Sequence, residues 1–329
     1  GAEVQGNVVI YHLIQRLKDM DICGEIILVP NCNPVGTNIK AGEYTMGRFD
    51  PVNGTNWNRG YHFDKGSVEQ FANTVTPEES VQGIKQRFRT FLSSAIDTKL
   101  ATPWGLGLAQ QLNLKLQQLA VNADFVLDLH NGPVSTRHIY VPEYAKPSAS
   151  LFNIPHCIFI PNVFAGALDE ATFCPWWTLQ ECIEANLQRS IEFNVEAFTL
   201  EMGSQEVINF TEGDVDALSI LSYLNAKGAL HNCDVKPDHM TRLGVMLKDY
   251  KTLFTDWGGM VEYMAKPGET IKAGEPLAKI LNIDELDNDN GSRLLNAPCD
   301  LIPILHFPSA SVLSGTQLYK VFTNYEKLT

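Results

Sequence analysis

The stretch from Ala123 to Gly132, ADFVLDLHNG, constrains the fold of this chain more than any other segment. Its apolar residues predict a buried strand, yet Asp128 and His130 are polar where such a strand should be apolar. Ligands of open α/β sheets bind just beyond the carboxyl ends of the strands. His130 therefore lies where a metal-binding or catalytic histidine is expected. The alternative is a histidine that ends a strand and hydrogen-bonds to backbone.

Helical and strand patterns alternate around this stretch. Residues 7–19 have helical apolar spacing, residues 25–30 predict a buried strand, and residues 77–121 predict helices that cover a sheet. Further strands are predicted at 137–142, 157–161 and 197–203, and further helices at 178–190 and 215–226. This order indicates an α/β fold with a largely parallel sheet flanked by helices.

The sequence pattern changes after about residue 235. Short strands then alternate with turns that nearly always contain Gly, in two similar halves at 257–280 and 298–322. We predict a small all-β domain over residues 237–329 and a first domain over residues 1–236. The acidic segment 284–291 between the two halves predicts a solvated loop. A calcium site is disfavoured there because EF-hand spacing is absent.

Charge and cysteine usage exclude several classes of protein. The net charge is -13 and no block of Lys or Arg occurs, which argues against a nucleic-acid partner. No apolar run approaches the length of a membrane span and no signal-peptide pattern is present, so we expect no membrane partner. The 7 Cys form no C-x-x-C pair, which is typical of reduced, mostly buried thiols in a cytoplasmic protein.

A second predicted strand also ends in a polar residue. Glu201 is followed by Met-Gly in the same way that His130 is followed by Asn-Gly, and Glu3 precedes the first helix. A histidine and two carboxylates suit a hydrolytic zinc centre, because zinc takes three ligands of the His and Glu type and leaves one position for water. A further carboxylate can then act as a general base.

The irregular segment 37–65 adds cationic and amide side chains. It contains Arg48, Asn58 and Arg59, together with several aromatic residues that favour an ordered loop. Long irregular segments inside a compact domain are usually functional or disordered. An arginine in such a loop can stabilise a developing oxyanion or bind a substrate carboxylate.

Five short motifs together resemble the succinylglutamate desuccinylase/aspartoacylase family of zinc hydrolases. They occur in order across nearly the whole chain: Gly1-Ala2-Glu3-Val4-Gln5-Gly6-Asn7, Asn33-Pro34-x-Gly36, Asn58-Arg59, Asp128-Leu129-His130 and Leu200-Glu201-Met202-Gly203. The resemblance implies a carboxypeptidase-like α/β domain and a small C-terminal β domain of barrel-sandwich type. That β domain is similar to biotinyl and lipoyl domains, but no Lys stands at the hairpin tip after Ile280, so we predict no covalent cofactor.

The resemblance also implies a metal site with one Zn²⁺ per chain. The family motif is His-x-x-Glu followed much later by a second His, and Glu3 and His130 match its last two ligands. The first His would stand immediately before Gly1, so we expect domain 1–236 to begin within the metal motif. His62 is a reserve candidate, as a ligand or a substrate contact.

Roles for the other residues follow from the same resemblance. Glu201 would be the general base, and Arg48 would polarise the scissile carbonyl unless it is an ordinary surface arginine. Asn58 and Arg59 would bind a substrate carboxylate. Asp128 either orients His130 or is a structural aspartate.

We therefore predict a zinc-dependent deacylase that cleaves an amide bond of a small N-acyl amino acid or similar acylated amine. The substrate would be its small-molecule partner, and a homodimer is left open. One alternative is a metallocarboxypeptidase that acts on peptides. Another is a non-catalytic ligand-binding protein on the same scaffold.

Overall fold

A six-stranded mixed sheet organises the computed structural model, which describes residues 1–231, 233–287 and 291–328. The helices are α1 (Gln5–Leu17), α2 (Pro34–Asn38), α3 (Lys65–Ala72), α4 (Val81–Leu100), α5 (Leu108–Ala120), α6 (Leu168–Leu187) and α7 (Phe210–Ala226). The strands are β1 (Asp21–Ile22), β2 (Lys40–Ala41), β3 (Tyr44–Thr45), β4 (Phe125–Gly132), β5 (Val134–Ser135), β6 (His138–Pro142), β7 (His156–Ile160), β8 (Glu196–Ser204), β9 (Leu230–His231), β10 (Arg242–Met246), β11 (Tyr250–Phe254), β12 (Gly259–Tyr263), β13 (Pro276–Leu281), β14 (Ser292–Asn296), β15 (Ile302–His306), β16 (Ser311–Val312), β17 (Gln317–Phe322) and β18 (Glu326–Leu328).

The main sheet has the strand order β18-β10-β7-β6-β8-β4. The pairs β4–β8, β6–β7 and β7–β10 are parallel, whereas β6–β8 and β10–β18 are antiparallel. Helices α1 and α7 pack against the apolar residues of one face, and α6 lies over the other. The predicted α/β architecture, with a mostly parallel sheet flanked by helices, is confirmed.

Helix ends are held by the residue types that favour them. The side chain of Asn33 accepts a hydrogen bond from the Gly36 N–H, and Pro34 takes the first position of α2, where its missing N–H costs nothing. Asp64, Ser80 and Asn209 cap α3, α4 and α7 in the same way. These caps fix the loops that lead into the helices.

The C-terminal region forms most of two four-stranded antiparallel sheets, β11-β17-β15-β5 and β14-β13-β12-β16, of which only β5 comes from earlier in the chain. Buried apolar side chains, among them Leu277, Leu301 and Leu318, fill the space between them. The expectation of a small all-β unit at this end is confirmed. The boundary between residues 236 and 237 stays a prediction, and strands from beyond it, β10 and β18, also join the main sheet. The predicted acidic loop 284–291 lies partly outside the described residues, at 288–290.

Two expectations about strands fail. Residues 25–30 belong to none of the sheets that the structure describes, and several of them are exposed. Strand β4 forms as predicted, but its first six residues are only half-buried. The half-burial of β4 has a simple cause: β4 is the last strand in the sheet order, and its open side faces a cavity rather than another strand. Residues 25–30 line the same cavity.

Most of the cysteines are not buried. Every described cysteine is a free thiol, but only Cys157 and Cys174 are buried, so the expectation of mostly buried thiols is wrong. Among the residues described, no helix combines the length and the apolar character that crossing a bilayer requires.

Candidate active site

A cavity of about 1170 Å³ runs along the open edge of β4 and includes the carboxyl ends of β4 and β8. Its walls come from α1, from residues 23–33, from the loop before α3, from α5, from the start of α6 and from strands of the C-terminal sheets. The part where two parallel strands end is the usual position of a small-molecule site in an α/β fold.

Strand register places the polar side chains of the sheet side by side. His130 of β4 is the register partner of Glu201 of β8, which in turn pairs with His138 of β6. Partners in register lie on the same face of a sheet, about 5 Å apart. Burial lowers the pKa of His138 to about 3, so this residue stays neutral beside Glu201.

A second row of register partners lies beside the row of His130, Glu201 and His138, two residues earlier on β4 and β8. Asp128 of β4 pairs with Thr199 of β8, which pairs with Tyr140 of β6. Asp128, Thr199 and Tyr140 all line the cavity. The period-2 alternation of strands therefore explains why the polar residues that looked misplaced in a buried strand face one site.

Both ring nitrogens of His130 have polar partners. Nδ1 lies 2.7 Å from Oε2 of Glu3, and Nε2 lies 2.9 Å from Oδ2 of Asp128. The amide Nδ2 of Asn58 lies 3.2 Å from the same Nε2. Nearby Asp128 and Glu3 raise the pKa of His130, although burial acts against this.

Backbone contacts hold Glu3 in place just before α1. Its Oε2 accepts a hydrogen bond of 3.0 Å from the Asn131 N–H. The Asn131 side chain accepts from the Gln5 N–H and donates to the Met202 carbonyl, which ties α1 to β4 and β8. Although burial disfavours its charge, His130 and this N–H lower the pKa of Glu3 to about 2.

Glu201 is the carboxylate that lacks a complete set of partners. Its Oε2 is shielded from solvent and has no hydrogen-bond partner among the described residues. Burial raises the pKa of Glu201 to about 7, and the charges of Glu3 and Asp128 act in the same direction. His130 and Arg48 oppose this rise. A buried carboxylate with a pKa in this range suits general acid–base chemistry near neutral pH.

The loop that contains Arg48, Asn58 and Arg59 brings all three to the cavity. Arg48 follows Gly47, whose backbone packs against Gly36 so closely that an added Cβ would overlap the Gly36 carbonyl oxygen. Arg59 donates a hydrogen bond of 2.6 Å to the Asn58 carbonyl. Both arginine residues are exposed and line the cavity.

The structure thus brings together every residue singled out from the sequence as a site residue: Glu3, Arg48, Asn58, Arg59, His130 and Glu201. Their roles stay predictions. His62 lies elsewhere, where its backbone N–H and carbonyl pair with the Gln117 side chain beside a separate small cavity.

Sequence reasoning missed four cavity residues: Tyr61, Tyr140, Asp169 and Lys320. Tyr140 and Lys320 carried a usable signal, because each interrupts an apolar strand pattern. Asp169 lies near the start of α6 and is 3% exposed. No pattern in the sequence distinguishes it from an ordinary acid in the first turn of a helix. Burial, together with the charges of Asp128 and Glu170, raises the pKa of Asp169 to about 6.

The residues present fit a metal ion in part. Within the described chain, no group of three or more His, Cys, Asp and Glu side chains is arranged to hold one. Two side chains do converge, since Nδ1 of His130 and Oε2 of Glu3 point at each other at 2.7 Å. The carboxylate of Asp128 contacts the other ring nitrogen, Nε2, as carboxylates commonly do at metal-binding histidines. Glu201, whose Oε2 has no hydrogen-bond partner among the described residues, lines the same cavity.

Comparison with known proteins gives a family and several related folds. The family model described as "Succinylglutamate desuccinylase/Aspartoacylase catalytic domain" matches residues 1–226. Among curated proteins, none matches the chain.

Solved structures from two Shewanella species are similar over almost the whole chain. A protein from Shewanella frigidimarina NCIMB 400, named for succinylglutamate desuccinylase/aspartoacylase, is 43% identical, with a TM-score of 0.96 over 99% of this chain and 87% of that one. A family protein from Shewanella amazonensis SB2B is also 43% identical, with a TM-score of 0.93 over 100% and 89%. The product-bound ectoine utilization protein EutE (DoeB) from Ruegeria pomeroyi is 16% identical, with a TM-score of 0.64 over 98% and 82%, which shows a shared fold.

Proposed function

The chain belongs to the succinylglutamate desuccinylase/aspartoacylase family, and from this we propose that it is a zinc-dependent hydrolase of small N-acyl amino acids or similar acylated amines. The bond cleaved would be the amide between the acyl group and the amine. The observation that carries the proposal is the meeting of Glu3, His130 and Glu201 at the mouth of one cavity.

Glu3 and His130 would hold the zinc, through Oε2 and Nδ1. Asp128 would keep the ring in position by accepting a hydrogen bond from Nε2. When bound there, zinc supplies a Lewis acid that lowers the pKa of water and polarises a carbonyl group. A histidine before Gly1 stays the predicted third ligand.

Glu201 would move the proton. Its raised pKa lets the carboxylate accept a proton from the attacking water and later give it to the leaving nitrogen. The neutral His138 beside it adds no competing charge. Because burial already disfavours the charged form of Glu201, protonation during the reaction costs little.

Arg48 would stabilise the oxygen of the scissile carbonyl as negative charge develops there. Its charge acts on both Glu3 and Glu201, which supports a position close to the reacting atoms. Asn58 and Arg59 would bind a carboxylate of the substrate. An amide and a guanidinium can both donate to one carboxylate, which fixes its orientation.

The C-terminal sheets favour a small substrate over a peptide. Their strands contribute Leu305, Gln317 and Lys320 to the cavity wall, where they would obstruct a long groove. This weighs against the metallocarboxypeptidase alternative. A homodimer, a cytoplasmic location and the lack of nucleic-acid or membrane partners stay predictions.

The test combines activity with metal content in the full-length protein. We expect about one zinc per chain and hydrolysis of at least one member of a panel of N-acyl amino acids. Glu201→Gln should keep the zinc and lower kcat by about 10²- to 10⁴-fold, because it removes the general base. The control is Glu192→Gln, which changes an exposed residue just before β8 and should leave both the zinc content and kcat unchanged.

Two outcomes would overturn the proposal. One is a full-length protein that binds panel members without zinc and without turnover, which would support the non-catalytic alternative. The other is a Glu201→Gln variant with undiminished kcat.

A further inference from the structure

The C-terminal sheets do more than bound the cavity, because one of their strands delivers a charged side chain to it. In β17, the residues Leu318, Tyr319, Val321 and Phe322 are buried, whereas Lys320 is half-buried and lines the cavity. A lysine in an otherwise apolar strand needs a reason, since Lys is among the residues least often buried.

The surroundings of Lys320 are aromatic and cationic. Its Nζ lies 5.2 Å from the centre of the Tyr250 ring, close enough for a cation–π contact. Burial lowers the pKa of Lys320, and the nearby charges of Arg48 and Arg59 add to this, whereas Glu201 opposes it. Three cationic side chains therefore share one cavity.

These three cations form no ion pair with any acid in the part of the chain that the structure describes. Across the described residues, no ion pair involves Arg48, Arg59 or Lys320. The two other lysines at the cavity wall differ, because Lys85 pairs with Asp124 and Lys227 with Glu196. The first three cations are thus left for something that enters the cavity.

Most of the acids near them are engaged within the protein. Asp128 contacts His130, and Asp169 accepts from the Glu170 N–H. Glu170 accepts from the backbone of the loop before α6, at the N–H groups of residues 165 and 167. Glu201 is the exception, because its Oε2 has no hydrogen-bond partner among the described residues. Three unpaired cations against this one carboxylate favour an anionic ligand.

We propose that Lys320 is a specificity residue through which the C-terminal β region binds a second carboxylate of the substrate. The inference rests on the proposed function, in which Asn58 and Arg59 bind the first carboxylate. Lys320 would act on binding through this carboxylate, and Glu201 would remain the residue that transfers the proton. The second carboxylate belongs either to the acyl group or to the amino acid side chain.

Two pairs of compounds distinguish these sources, each pair differing only in one charge. N-acetylglutamate and N-acetylglutamine vary the amino acid side chain, and N-succinylglycine and its terminal amide vary the acyl group. The unmodified protein should prefer the acid over the amide by about 10- to 100-fold in kcat/KM within one pair, because a charged hydrogen bond to a buried lysine is lost in the amide.

Lys320→Met should abolish that preference by raising KM for the acid, while kcat/KM for the amide changes less than about threefold. Lys320→Arg should restore most of the preference, since it restores the charge. Lys251→Met removes an exposed lysine from the neighbouring strand β11 and should change nothing. A preference that survives Lys320→Met, or an equal loss for acid and amide, would overturn the proposal.

A binding measurement separates this proposal from the proposed function. Calorimetric titration of Glu201→Gln with the same four compounds needs no turnover. Weaker binding of the acid alone when Lys320→Met is added supports the Lys320 assignment even if the unmodified protein hydrolyses nothing. If none of the four compounds binds, or if the acid of neither pair binds more tightly than its amide, the assignment is wrong.

Discussion

Oδ2 of Asp128 lies 2.9 Å from Nε2 of His130, on the side of the ring opposite to Nδ1 and Glu3. The two residues stand two positions apart on β4, so the pleat that directs His130 into the cavity directs Asp128 there as well. This contact favours the orienting role for Asp128 over the structural one, and the difference can be measured.

Asp128→Asn should weaken zinc binding by about 10- to 100-fold, because an amide fixes the ring and its tautomer less well than a carboxylate does. Competition with a chelator in the full-length protein measures the affinity. Asp19→Asn removes an exposed acid and serves as the control. Unchanged affinity would mean that Asp128 is only structural.

Gly47→Ala should lower kcat/KM by at least about tenfold, on the premise that a misplaced catalytic group is costly. The added Cβ would overlap the backbone of Gly36 and Gly1, so the chain would shift and carry Arg48 with it. Gly66→Ala is the matched control, because its Cβ would meet only an ordinary contact of 3.6 Å with the Asp64 side chain. Full activity in Gly47→Ala would show that the loop adapts without moving Arg48.

Arg48 and Arg59 should differ in which kinetic constant they control. We expect Arg48→Met to lower kcat by about 10²- to 10³-fold with little change in KM, as for the loss of an oxyanion donor. Arg59→Met should mainly raise KM, because it removes a contact to a substrate carboxylate that is present before and during the reaction. Steady-state kinetics on one N-acyl amino acid would test both. A near-normal kcat in Arg48→Met would show that Arg48 is an ordinary surface arginine and does not stabilise the oxyanion.

Asp169 should make the stability of the protein depend on pH. Its pKa is about 6 in the folded protein, against about 3.9 in an unfolded chain, so the folded state holds the extra proton between these values. Stability should therefore fall as the pH rises from about 4 to about 6.

Asp169→Asn removes this dependence and keeps an oxygen that can accept from the Glu170 N–H. The free energy of unfolding should rise by about 1–2 kcal/mol at pH 7 and change little at pH 4, as urea denaturation would measure. Glu78→Gln, which changes an exposed acid, is the control. A loss of stability at both pH values would indicate that the charge of Asp169 is needed for the fold.

Much of the site could be read from the sequence because it depends on local patterns. An apolar run that ends in a polar residue and Gly indicates a strand end, and strand ends in α/β folds point to one edge. That reasoning found His130 and Glu201, and the family resemblance added Glu3 and the loop residues. The positions of α1, α4, α5 and α7 were largely predictable for the same reason, since apolar spacing and capping residues are local, whereas α6 begins at Leu168 rather than at residue 178.

The failures concern contacts between distant segments. Residues 25–30 have the composition of a buried strand, but whether such a run joins a sheet depends on which strand lies beside it. Strand β4 formed as predicted yet is only half-buried, because its neighbour on one side is the cavity.

The sequence by itself determined which residues end their strands with polar groups, and for that reason it predicted His130 and Glu201 as site residues. Only the tertiary structure decided that they are register partners, that Asp128 contacts His130, and that Lys320 reaches the same cavity from 119 residues further along the chain than Glu201. The physical reason is that pleat and spacing are set within a segment, whereas register and burial are set by the packing of segments that the sequence keeps far apart.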